Sequence, residues 1–167
     1  MNNNYYFVLF LGVFLVLIII RRKLRVTGCK YDERQTAIRG KAYKYAMITG
    51  VIAGIIAAVL VETDMFPVTG SLAIIMVSLL MITVYTVYMV ISGVYFGISG
   101  NWKRWTVLIS AIGLFNLIIG IGRIADEGLP EKHLTVINVN LPLGIMFLII
   151  AVSVLFQKLR EHRGNEL

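Results

Sequence analysis

The chain has 167 residues, of which 58% are hydrophobic and 15% are charged, and its mean hydropathy is +0.82. A soluble domain of this size is nearer about 45–50% apolar and about 25% charged, and it has too little interior to hide the difference. Intrinsic disorder, a disulfide-stapled secreted scaffold (there is one Cys) and an ordinary soluble enzyme are excluded. The formal charge of +7, which on a soluble protein points to nucleic acid, reads here as a topology signal in an integral membrane protein.

A membrane span needs about 20 mostly apolar residues. Residues 5–20 are uncharged and end abruptly at Arg21-Arg22-Lys23. The stretch before them, Met1-Asn2-Asn3-Asn4, carries no positive side chain, and no small-residue cleavage site follows, so the segment reads as an uncleaved anchor rather than a signal peptide. Residues 43–61 form the second candidate span and stop at Glu62. Residues 71–98 are uncharged over 28 positions, about 42 Å of helix at 1.5 Å each, which predicts tilting or projection past one face. Residues 106–124 are the fourth span, with Arg123 in reach of Asp126 and Glu127 at its end, and residues 141–156 are a short fifth. Between the last two, Leu134-Thr-Val-Ile-Asn-Val-Asn alternates like a short strand. The expectation is therefore an all-α bundle of five transmembrane helices forming a single membrane domain.

Charge sets the orientation. With the N-terminus outside and the C-terminus inside, 14 of the 16 Lys and Arg residues fall on inner segments, leaving Arg123 and Lys132 outside. A four-span arrangement with the first or last segment lying on the surface strands some of these charges on the wrong side. Tyr5 and Tyr6 fit an outer interface; Tyr43, Tyr45, Tyr95, Trp102 and Trp105 fit an inner one; Tyr85 and Tyr88 fall mid-span, facing protein.

The most distinctive stretch lies in the basic inner loop 21–42 and its continuation. Asp32 is placed to cap a helix with Gln35 as its reciprocal partner, and Asp32 and Glu33 sit at the positive end of the helix dipole. Arg34, Arg39, Lys41 and Lys44 follow toward the membrane, and Ile38, Ala42 and Tyr45 share one apolar stripe. One reading is a docking surface for a partner or for anionic headgroups. The plainer reading is a cytoplasmic extension of the second span whose cations fix topology.

Asp32-Glu33-Arg34-Gln35 followed by Ile38-Arg39-Gly40-Lys41-Ala42 and an aromatic-rich start to a span resembles a group of small, uncharacterised multi-span membrane proteins of Gram-positive bacteria. The likeness covers about 15 residues. It implies a bacterial plasma-membrane protein and brings no catalytic residues with it.

Helix packing is foreshadowed by small residues. Ala46, Gly50, Gly54 and Ala58 recur every fourth position, and Gly93 and Gly97 share that spacing, as helices in close contact require. Such ridges serve a dimer seam or packing within the bundle. Asn116 is the most costly polar residue inside a span; an interhelical hydrogen bond explains it, and a polar path with Thr83 and Thr86 is the alternative. No Asp, Glu, Lys or His lies near a midplane, which argues against an ion-coupled carrier. No His-Glu-x-x-His, Gly-x-Ser-x-Gly or phosphate loop is present, His133 and His162 are expected on opposite sides, and Cys29 stands alone. The sequence therefore favours a non-enzymatic accessory or regulatory protein without cofactors. Its expected partners are the lipid bilayer and either a membrane protein or a second copy, not nucleic acid. A small transporter or channel subunit comes next, and a membrane enzyme last.

Overall fold

Four long helices are joined by short connections in the computed structural model, which describes residues 32–63, 65, 67–95, 102–128 and 133–164. They are α1 (Glu33–Glu62), α2 (Gly70–Ile91), α3 (Trp102–Glu127) and α4 (Asn140–Gly164). Each is long and apolar enough to cross a bilayer, so the described part is an all-α, four-span membrane bundle. The expected first span 5–20, the basic residues 21–31 with Cys29, and Gly97 lie outside the described residues. Chain order makes α1 and α3 begin, and α2 and α4 end, at one face, the basic end; the opposite face is called the far end.

The observed helices depart from the expected spans at their ends, for local reasons. α1 starts directly after Asp32, at the predicted cap position, and runs 30 residues. At 1.5 Å per residue it is about 45 Å long, half as long again as the ~30 Å hydrocarbon layer. The charged motif is therefore the first turns of a span that begins well before Tyr43. α2 ends at Ile91, not at residue 98. Gly93 adopts φ +72°, its N–H donates to the Val90 carbonyl at 2.9 Å, and the Val94 N–H reaches back to Met89 at 3.1 Å. This paired closure needs a left-handed residue, which glycine supplies without a Cβ clash, and Val94 packs beside Met89 to complete it. Hydropathy could not locate that stop, because the apolar run continues past it. α3 also closes on a left-handed glycine, Gly128 at φ +71°, whose N–H makes a single bond to the Ile124 carbonyl at 3.1 Å. α4 is longer than its apolar stretch because polar residues carry it on to Gly164, with Lys158 and Glu161 paired at 2.6 Å one turn apart.

The alternating stretch Leu134–Asn140 is not a strand. Its pairing stops at one parallel bridge, in which Leu134 N–H donates to Pro67 at 2.7 Å and Thr69 N–H donates to Leu134 at 2.9 Å. Val136–Val139 then turns as a 3-10 helix, because the Asn138 side chain accepts the Thr135 N–H at 3.0 Å and the Asn138 N–H returns to the Thr135 carbonyl at 2.9 Å. The bridge ties the α1–α2 and α3–α4 connections together at the far end. Arg123 adds to this tie by donating to the Ile137 carbonyl at 3.1 Å, whereas Asp126 or Glu127 was its expected partner.

Closest packing is between α3 and α4. A Cβ at Gly144 would stand 2.8 Å from the backbone N of Leu117 and 2.9 Å from the Gly113 carbonyl oxygen. One at Gly120 would stand 3.0 Å from the Leu141 N, and one at Gly113 3.0 Å from the Phe147 Cβ and 3.2 Å from Leu148. As the α3 index rises from 113 to 120 the α4 index falls from 148 to 141, the register of two antiparallel helices with backbones pressed together through glycine.

Candidate functional site

α1 packs closely on α2 along its first half, and Val61 in its last turn comes within 3.9 Å of a Cβ placed at Gly70. Ala42, Ala46 and Gly50 are buried on that contact. Ala42 packs with Met89 and Val94, and Ile38, Tyr85 and Tyr88 surround them. Two aromatic pairs reinforce the seam: Tyr43 with Tyr85 at 4.6 Å between ring centres, tilted 36°, and Tyr45 with Tyr88 at 5.2 Å, tilted 43°. The Tyr85 hydroxyl also interacts with Tyr43 and Arg39. Tyr85 and Tyr88 were expected at mid-span. The stop at Ile91 puts them within two turns of the basic end, where they meet the tyrosines of α1.

The apolar stripe of the inner-loop motif is thereby used within the molecule: Ile38 and Ala42 pack on α2 rather than presenting a docking face. The charged part remains open. Asp32, Glu33, Arg34, Lys41 and Lys44 are exposed, with Gln35 and Arg39 partly covered.

The small-residue ridge divides at Gly50. A Cβ there would collide with the Met81 thioether, whereas a Cβ at Gly54 meets nothing within 4 Å. Ala58 is exposed. Ala46 and Gly50 are thus buried inside the bundle, whereas Gly54 and Ala58 meet no other helix of the same chain closely. Between Gly50 and Val61 the two helices leave a space, and small residues there enlarge it rather than closing it. Gly93, expected to pack between helices, is the closing residue of α2. The glycines that bring α3 and α4 together, Gly113, Gly120 and Gly144, lie outside the four-residue pattern of small residues. Their signal was present as a seven-residue spacing on one face of α3, but Gly144 has no small neighbour at i+3 or i+4 to mark it.

A lateral groove of about 410 Å³ lies toward the far end, walled by Ala53 and Ala57 of α1, Ala73 and Val77 of α2, and Ile145 and Ile149 of α4. Among the described residues lining it, only Thr83 is polar, and its hydroxyl donates to the Leu79 carbonyl of its own helix at 2.7 Å. Water needs two to four polar partners to occupy a cavity, and among the described side chains this one offers a single hydroxyl whose proton is already donated. A second space of about 430 Å³, bordered by Gly54, Ala58, Ser78 and Glu62, lies across the same α1–α2 gap.

Of the residues of the alternative polar path, Thr83 lines the groove, whereas Thr86 and Asn116 do not. Asn116 is accounted for within α3, where its Nδ2 donates to the Ile112 carbonyl at 2.9 Å, not across a helix interface. A short amide can fold back on the i−4 carbonyl, which satisfies it without a second helix. Among the described residues no three His, Cys, Asp or Glu side chains are grouped to hold a metal ion.

No protein family, curated protein or solved structure matches the chain.

Proposed function

We propose that the chain is a non-enzymatic accessory or regulatory protein of a bacterial plasma membrane, with its N-terminus outside and its C-terminus inside, that binds a membrane-embedded partner laterally. The observation that carries this reading is the unfilled apolar groove between the far-end halves of α1, α2 and α4. Beside it, one side of α1 displays Ile52, Ile55, Ile56 and Val59, all more than half exposed. An apolar side chain or helix ridge entering such a groove gains dispersion contacts that the cavity walls lack on their own. The groove gives a polar solute nothing to bind, so the geometry supports association more than transport. The bacterial assignment follows from the resemblance of the Asp32–Ala42 motif, which α1 displays as exposed helical turns at the basic end.

Filling the groove tests the reading. Ala57→Phe places a ring where the cavity is, and it should abolish co-purification of a cross-linked membrane partner in mild detergent while leaving the bundle folded. Phe115→Ala, on the exposed face of α3, should leave the partner yield unchanged. Full recovery of the partner with Ala57→Phe would end the groove reading.

A further inference from the structure

A second feature, independent of the groove, lies at the basic end of α3 and α4. Trp102 opens α3. Two ammonium groups from different helices lie against its ring: Lys103 Nζ is 5.8 Å and Lys158 Nζ 5.6 Å from the ring centre. Long lysine side chains at a membrane interface usually swing freely toward water; the indole face holds these two by its negative quadrupole at the depth where tryptophan itself settles.

The surrounding charge is one-sided. Among the described residues the adjoining helix ends carry Lys103, Arg104, Lys158, Arg160 and Arg163 against the single carboxylate of Glu161. That carboxylate is already engaged, accepting from Lys158 at 2.6 Å and from Gln157 Nε2 at 3.2 Å. It offsets one cation of the group and leaves a surplus of positive charge facing the interface. From the same corner, exposed apolar side chains lead toward the hydrocarbon: Trp105 and Leu108 along α3, and Leu159 and Phe156 along α4. A cationic head site continued by an apolar track fits an amphiphile with an anionic head, not a soluble anion.

We propose that this corner is a binding site for the phosphate headgroup of an anionic phospholipid. Lys103 and Arg104 are its principal ligands, Lys158 contributes while paired with Glu161, and the lipid chains lie along Trp105, Leu108 and Phe156. Fixing two cations on one ring distinguishes the site from a diffuse belt of interfacial charge, because the headgroup meets donors already positioned.

The two tryptophans supply a reporter. The full chain carrying Trp105→Phe, which leaves Trp102 as the sole tryptophan, is placed in phosphatidylcholine nanodiscs with increasing fractions of phosphatidylglycerol bearing brominated chains. Trp102 emission should be quenched saturably, beyond the quenching by the same fraction of brominated phosphatidylcholine, and unlabelled phosphatidylglycerol should reverse it. Adding Lys103→Gln and Arg104→Gln should raise the half-saturating fraction about five-fold for each charge removed, whereas Lys103→Arg with Arg104→Lys should preserve it. Equal quenching by the two brominated lipids, or an unchanged titration in the Gln variant, would overturn the proposal. Reversal by inorganic phosphate as effective as by phosphatidylglycerol would overturn the assignment to lipid.

Discussion

Gly144→Ala should destabilise the bundle more than any other single-methyl addition at a described glycine of helical conformation. The added Cβ would lie 2.8 Å from the Leu117 backbone N and Cγ and 2.9 Å from the Gly113 carbonyl oxygen, where ordinary contact begins at 3.4 Å. Two of those neighbours are backbone atoms, so no rotamer change relieves the overlap, and α3 and α4 must separate by about 0.6 Å at their crossing. A gap of that size forfeits a quarter or more of each dispersion well along the contact. Together with the strain of overpacking, the expected loss is about 2–3 kcal/mol, or an apparent melting temperature lower by about 5–10 °C for a chain of this length. Gly122→Ala is the matched control on α3, since its Cβ meets nothing within 4 Å; it should be neutral or stabilise by up to ~1 kcal/mol through helix propensity. Gly50→Ala should fall between them, because the atom in its way is the flexible Met81 thioether. Thermal unfolding of the purified variants in one mild detergent makes the comparison. Equal melting of Gly144→Ala and Gly122→Ala would refute the close α3–α4 crossing.

Gly93→Ala should cost about 1 kcal/mol, because alanine at φ +72° carries the left-handed penalty; Gly93→Asn should cost less, and equal losses in thermal unfolding would argue against the observed closure of α2. A double-mutant cycle of Tyr43→Ala and Tyr85→Ala should return a coupling of about 0.5–1.5 kcal/mol from their ring contact, whereas additive losses would mean the rings do not meet. Single cysteines at Thr63 or Gly128, on a Cys29→Ser background, should react with an impermeant maleimide in intact cells, and cysteines at Gly40 or Arg163 only after permeabilisation; the reverse pattern would invert the proposed orientation.

The sequence revealed where the chain is apolar but not where each helix stops or which faces meet. Every described helix overlaps an expected span because some 20 uncharged residues in bilayer have few other ways to satisfy their backbone. Helix ends were harder to place. Gly93 ends α2 through a φ value that hydropathy does not encode, and the polar turns at either end of a span, Glu33–Ala42 and Gln157–Gly164, are helical without being apolar. The Leu134–Asn140 alternation was misleading because only Pro67–Thr69 lies beside it, enough for one bridge, and the Thr135–Asn138 exchange of hydrogen bonds favours a turn. Small residues announced that helices approach closely but not where. Ala46 and Gly50 lie where α1 and α2 touch, and Gly54 and Ala58 lie beside the space between them. The same uncertainty hid the groove, since a cavity between three helices depends on crossing angles that no local spacing records.

Site-specific photo-crosslinking in intact membranes tests the lateral-partner reading most directly. A photoreactive residue replacing Ala57 faces the groove, and one replacing Phe115 faces outward from α3. The account predicts a single protein adduct of defined mass at position 57, none at position 115, and loss of the adduct when Ala53→Phe fills the groove from the neighbouring turn. Lipid adducts alone at both positions, or a protein adduct indifferent to Ala53→Phe, would contradict it.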